Sequence, residues 1–91
     1  MANLHLIASS PSKTRLDELR ATISQADALL FIEDGVYFAA TNDILTSLPT
    51  QEIFFLSDDA AARGIELSAR AVDYAGFVDL TAQYDRSVSW Y

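Results

Sequence analysis

The sequence predicts an α/β fold: a parallel sheet of about four strands with flanking helices. Three observations carry this. "NLHLIA" (3–8), "DALLFIED" (27–34) and "EIFFLS" (52–57) are apolar runs of strand length. The segments between them carry helical spacing instead. The second run is almost continuously apolar between bounding acids, the pattern of a strand buried on both faces. An order β-α-β-α-β-α-β-α implies a parallel sheet with crossover helices.

In chain order, the first strand sets Leu4 and Leu6 on one face, with Ile7 near its end. "PSKTRLDELRATIS" then places Leu16, Leu19 and Ile23 at i, i+3 and i+7, one stripe of an amphipathic helix. Ser10 followed by Pro11 is a good cap and first-turn pair for that helix. After the second strand, "VYFAATNDILTSL" allows helical turns through Val36, Ala39, Ala40, Ile44 and Leu48. Asn42 and Asp43 interrupt them or cap a second turn, and Pro49 ends them. "DDAAARG" (58–64) reads as a short helix with acids at its start and a glycine stop. "ARAVDYA" (69–75) is a weaker fourth strand. "GFVDLTAQY" (76–84) sets Phe77, Leu80, Thr81 and Tyr84 at helical spacing, and "DRSVSWY" is a tail ending in two aromatics.

The 91 residues suit a single domain, 1–91, and 51% of them are hydrophobic, too many for a disordered chain. The net charge of −7, from 13 acidic and 6 basic residues, argues against direct nucleic-acid binding, which needs cations to displace counterions. No apolar run approaches a membrane span, and the start lacks the basic and apolar regions of a signal peptide. The chain has no cysteine, which excludes disulfides, thiolate metal sites and cysteine nucleophiles, and fits a cytoplasmic protein. Cover for the sheet is scarce, because the second helix is interrupted and the third is about two turns. That shortage is a physical argument for an obligate oligomer.

Candidate sites have plain structural readings beside them. Ser9, Ser10, Ser12 and Thr14 follow the first strand, where open α/β sheets place ligands. The loop has no glycine to let a backbone approach phosphate, so capping is the simpler account. His5 is flanked by leucines and has no metal-ligand companions at suitable spacing, so it reads as structural. Glu33 and Asp34 end the second strand and, with Gly35, also make a strand-to-helix turn. Asp58 and Asp59 stabilise a helix start, and Arg63 can pair with one of them. No nucleophile elbow occurs. Tyr37, Phe38, Trp90 and Tyr91 are aromatics that need cover, and the expectation is an interface role, with Trp90 packing on its own chain or on a partner.

Read in order, "LHLIASSP", "LLFIEDGVYFA", "IFFLSDDAAARGI", "VDYAGFVDLT" and "SVSW" resemble the TusB/DsrH family of sulfur-relay proteins, nearly end to end. The motifs that carry the resemblance are Asp34-Gly35-Val36, Ala62-Arg63-Gly64, and Asp73-Tyr74 with Phe77-Val78 and Leu80-Thr81. It implies a small flavodoxin-like (DsrEFH-like) subunit of a heterohexamer with TusC/DsrF-like and TusD/DsrE-like companions. In the Tus branch such complexes relay persulfide sulfur toward 2-thiolation of the tRNA wobble uridine; in the Dsr branch a similar complex serves sulfur oxidation. The essential cysteine belongs to the TusD/DsrE-type subunit. Some DsrH-type chains carry one of their own, and its absence here favours the Tus branch. The resemblance therefore implies no catalytic residue and no cofactor in this chain. The residues alone leave open a standalone α/β module that binds a small molecule or phosphate through the Ser9–Thr14 loop.

Overall fold

Residues 2–41, 45–67 and 70–91 are described by the computed structural model. The apolar runs form β1 (Asn3–Ile7), β2 (Ala28–Phe31) and β3 (Ile53–Leu56), joined by β4 (Ala71–Val72) and β5 (Arg86–Trp90) in one sheet. The order is β4-β3-β2-β1-β5 and all neighbours are parallel. Between the strands lie α1 (Lys13–Thr22), a 3-10 helix (Glu33–Thr41), α2 (Ser57–Ala62) and α3 (Tyr74–Gln83).

The expected tail is a fifth strand. "RSVSW" pairs along the open side of β1, with His5 opposite Val88 and Ile7 opposite Trp90. Polar residues at Arg86, Ser87 and Ser89 hide the strand pattern, because an edge strand buries little. β5 rather than β2 crosses to the far side of β1, unlike the 2-1-3-4-5 order of flavodoxin.

Three boundaries also move. Ser12, not Ser10, caps α1: its backbone is extended and its Oγ accepts the Arg15 N–H at 3.0 Å. Pro11 therefore precedes the cap rather than occupying the first turn. Of the expected strand at 69–75, Ala69 lies outside the described residues; β4 is Ala71–Val72, with the Arg70 carbonyl accepting the Phe55 N–H at 3.0 Å, and Asp73 turns away to cap α3, accepting the Gly76 N–H at 2.8 Å. The turns after β2 are 3-10 through Thr41; the expected interruption at Asn42 and Asp43, and the expected turn position Ile44, lie outside the described residues. The glycine stop after α2 holds: Gly64 has φ +67°, and the Ile65 and Gly64 N–H groups return to the Ala60 and Ala61 carbonyls.

The pleat divides the core in two. One face gathers Ile7, Leu29, Phe31, Ile53 and Phe55 against Leu19 of α1, Ile23 at its end, Phe38 of the 3-10 helix, and Leu45 and Leu48. Phe31 stacks near Phe55 and Phe38, with ring centroids 5.1 and 4.7 Å away. The other face gathers Leu4, Ala28 and Leu30 beneath Leu80 of α3. Every residue of β2 is fully buried, as its uninterrupted hydrophobicity predicts.

One polar chain crosses the sheet inside this apolar surround. His5 is 2% exposed and Asp27 3%. The Asp27 carboxylate lies 3.0 Å from His5 Nε2, and the Trp90 indole donates to His5 Nδ1 at 3.0 Å. An indole N–H can only donate, so Nδ1 must be the bare nitrogen and Nε2–H points at Asp27. These bonds fix the ring's orientation, and Asp27, just ahead of β2, is tied to β1 and β5 through side chains. Burial alone would raise the Asp27 pKa. Hydrogen bonds from the Asn3 N–H, His5 and the Ser24 N–H outweigh it and hold the carboxyl below the ordinary aspartate value.

Gly35 is demanded by close approach. A Cβ there would lie 1.9 Å from the Ile7 carbonyl oxygen, where the chain leaving β2 crosses the end of β1.

Two expectations follow. The depressed Asp27 pKa contributes stability that is complete above the unfolded carboxyl value, about 3.9, and is lost as pH falls through the folded value. Asp27→Asn should lose about 2–3 kcal/mol at neutral pH and flatten the acid limb of stability. Denaturant midpoints measured from pH 6 to 2.5 check this, and an unchanged acid limb would show that Asp27 is not its source. Gly35→Ala should cost about 1–3 kcal/mol through overpacking, read as a lower thermal midpoint.

Candidate functional site

Ligands of open α/β sheets bind beyond the carboxyl ends of the strands, at the point where strand order reverses. In this order that point lies between β1 and β5. Groups of the chain itself meet there. The Ala8 N–H donates to the Trp90 carbonyl at 3.0 Å. The Arg15 guanidinium lies 5.1 Å from the Trp90 ring centroid, and its Nη2 donates to the Tyr91 carbonyl at 2.7 Å. Trp90 is thus held between His5 and Arg15. Sequence reasoning missed Arg15 and Asp27; the available signal was that a buried tryptophan or histidine must find polar partners.

The serine-rich loop begins here. Ser9 Oγ is buried without a hydrogen-bond partner among the described residues, Ser10 is exposed, and Thr14 is exposed on the first turn of α1. The Ser12 hydroxyl is engaged as the helix cap. An open groove of about 460 Å³ adjoins it, lined by Pro11, Ser12, Lys13, Leu16, Asp17, Arg20 and Phe38. Leu16, Phe38 and Pro11 give it an apolar floor, while Arg20 is directed to Ser47 Oγ at 2.9 Å. Ser12 thus starts the helix beside an apolar groove.

The acids after β2 and β3 engage one another's elements. Glu33 has φ +48°, and its N–H donates to Asp59 Oδ2 at 2.6 Å. Arg63 pairs with Asp34 at 3.0 Å and donates to the Asp59 main-chain carbonyl, so its carboxylate partner comes from the 3-10 helix rather than from Asp58 or Asp59. Exposed pairs of this kind contribute roughly 0–1 kcal/mol. They fasten α2 to the 3-10 helix.

Of the four expected interface aromatics, Tyr37 is 43% exposed and Tyr91 84% exposed. Trp90 is half-buried by its own chain. Phe38 is 2% exposed in the core, so its side chain is not available to a partner surface: the 3-10 turn points it inward against Phe31.

These residues offer little chemistry. Both ring nitrogens of the only histidine are engaged, leaving no free general base there. Among the described residues no group of three or more His, Cys, Asp or Glu could hold a metal ion. Among them, too, no helix is long and apolar enough to cross a membrane.

Known proteins resemble this chain along most of its length. The sequence profile of the family described as "DsrH like protein" matches residues 9–87. Protein TusB of Pectobacterium parmentieri is 35% identical over 96% of this chain and 99% of its own length. Protein TusB of Yersinia enterocolitica is 33% identical over the same shares. The solution structure of protein Tm0979 from Thermotoga maritima superposes with a TM-score of 0.72 at 23% identity, over 91% of this chain and 93% of that one, a likeness of fold. With its parallel five-stranded sheet and these full-length relatives, the chain belongs to the DsrH family, together with the TusB proteins.

Proposed function

We propose that this chain is a non-catalytic subunit of a cytoplasmic, heteromeric sulfur-relay complex that supports 2-thiolation of the tRNA wobble uridine. One observation carries the reading: a chain related over its whole length to proteins named TusB has no cysteine. It cannot hold sulfur as a persulfide, so the sulfur rides on a cysteine of a companion subunit of the TusD/DsrE type. A TusC/DsrF-type subunit completes the assembly, a heterohexamer. The engagement of His5 and the acidic surface support an assembling role with no direct contact to tRNA.

Tyr37 and Tyr91 are the aromatics placed to meet companions. Trp90 acts indirectly, holding β5 and the Tyr91 end in position through His5 and Arg15.

Deleting the gene in its source should bring the 2-thiouridine content of the affected tRNAs to background, and expressing the intact chain should restore it. Liquid chromatography with mass detection of digested tRNA reads the result. Unchanged thiolation, with a defect in sulfur oxidation, would move the chain to the Dsr branch.

A further inference from the structure

The two faces of the sheet are unequally covered. α1, the 3-10 helix and the Leu45–Leu48 turns cover one face. Among the described residues the other carries α3, a helix of ten residues laid over a five-stranded sheet. Beside fully buried Leu30, the neighbours Leu6 and Phe54 in the same row stay only half-buried, as does Ile32. α3 then turns more apolar surface outward. Tyr74 is 55% exposed and Val78 65% exposed, four residues apart and so on one helix face.

Charge says what kind of surface suits this face. Asp73, Asp79 and Asp85 are exposed at the start, flank and end of α3, and residues 71–85 contain no lysine or arginine. None of these three carboxylates forms an ion pair among the described residues. A second copy would bring the same unpaired acids against them, on a chain whose net charge is already −7. Like charges set face to face oppose association.

We propose that the outer face of α3, centred on Tyr74 and Val78 and rimmed by Asp73, Asp79 and Asp85, docks a different subunit that presents an apolar patch edged by lysine and arginine. The proposal rests on the sulfur-relay reading and adds the surface and the chemistry of the companion that meets it. Val78 and Tyr74 supply the desolvated centre, and the acids orient the approach.

The test co-expresses the tagged chain with its TusC/DsrF-like and TusD/DsrE-like companions and quantifies their recovery by native mass spectrometry. Val78→Asp should lower recovery at least tenfold. Asp79→Lys should lower it several-fold and remove much of its salt dependence. Val78→Ile and Gln25→Asp should leave it unchanged. Circular dichroism and the thermal midpoint report folding; should Val78→Asp fail to fold, Asp79→Lys decides, since it alters only an exposed carboxylate. Full recovery with the folded α3 variants would overturn the docking surface while leaving the relay reading in place. No companions recovered with the unaltered chain would overturn both. A homodimer of the isolated chain that Val78→Asp splits would assign the face to a second copy and overturn the heteromeric surface.

Discussion

The buried hydrogen-bond chain from Asp27 through His5 to Trp90 links three strands that are far apart in sequence. A buried carboxylate and imidazole are costly in an apolar core unless every polar atom finds a partner. Here the partners are a donor-only indole, two backbone amides and each other. Moving β5 by one residue along β1 would turn Trp90 to the other face and leave His5 Nδ1 bare. The polar chain therefore specifies register as well as attachment. It lets a five-residue edge strand with little apolar surface hold its place.

The rest of the molecule follows from what that attachment leaves open. With β5 secured beside β1, Arg15 lies over Trp90 and reaches the Tyr91 carbonyl at the edge where such sheets admit ligands. The only histidine becomes a structural group. Among the described residues the exposed large apolar ones are Tyr37, Tyr74, Val78, Val88 and Tyr91, and exposed acids flank α3.

The two faces of the sheet show how a short chain limits its own burial. β2 is sealed on both sides because it is central. The outer rows around Leu6 and Phe54 are not, because a single helix cannot span five strands.

Much of this was legible before any coordinates. The continuous apolar run at 27–34, the stripe of Leu16, Leu19 and Ile23, and the glycine after Arg63 encode local choices, and local choices follow from side-chain size, branching and capping. The absence of cysteine alone settled that the chain carries no persulfide. Its motif order pointed to the family. The fifth strand was hidden because polar, exposed residues at an edge read as a tail; only the open flank of β1 made them a strand. The true cap of α1 depended on where the loop out of β1 ran. Phe38 and Trp90 could not be assigned inward or outward from sequence, since an aromatic ring is satisfied equally by its own core or by another surface. Nor could the partners of His5: Asp27 and Trp90 lie 22 and 85 residues away, and pairing at such separations is decided by the packing of the whole sheet. Local structure and composition were thus the sequence's own, while register, burial and the seat of Arg15 over Trp90 came from contacts that exist only once the chain has folded.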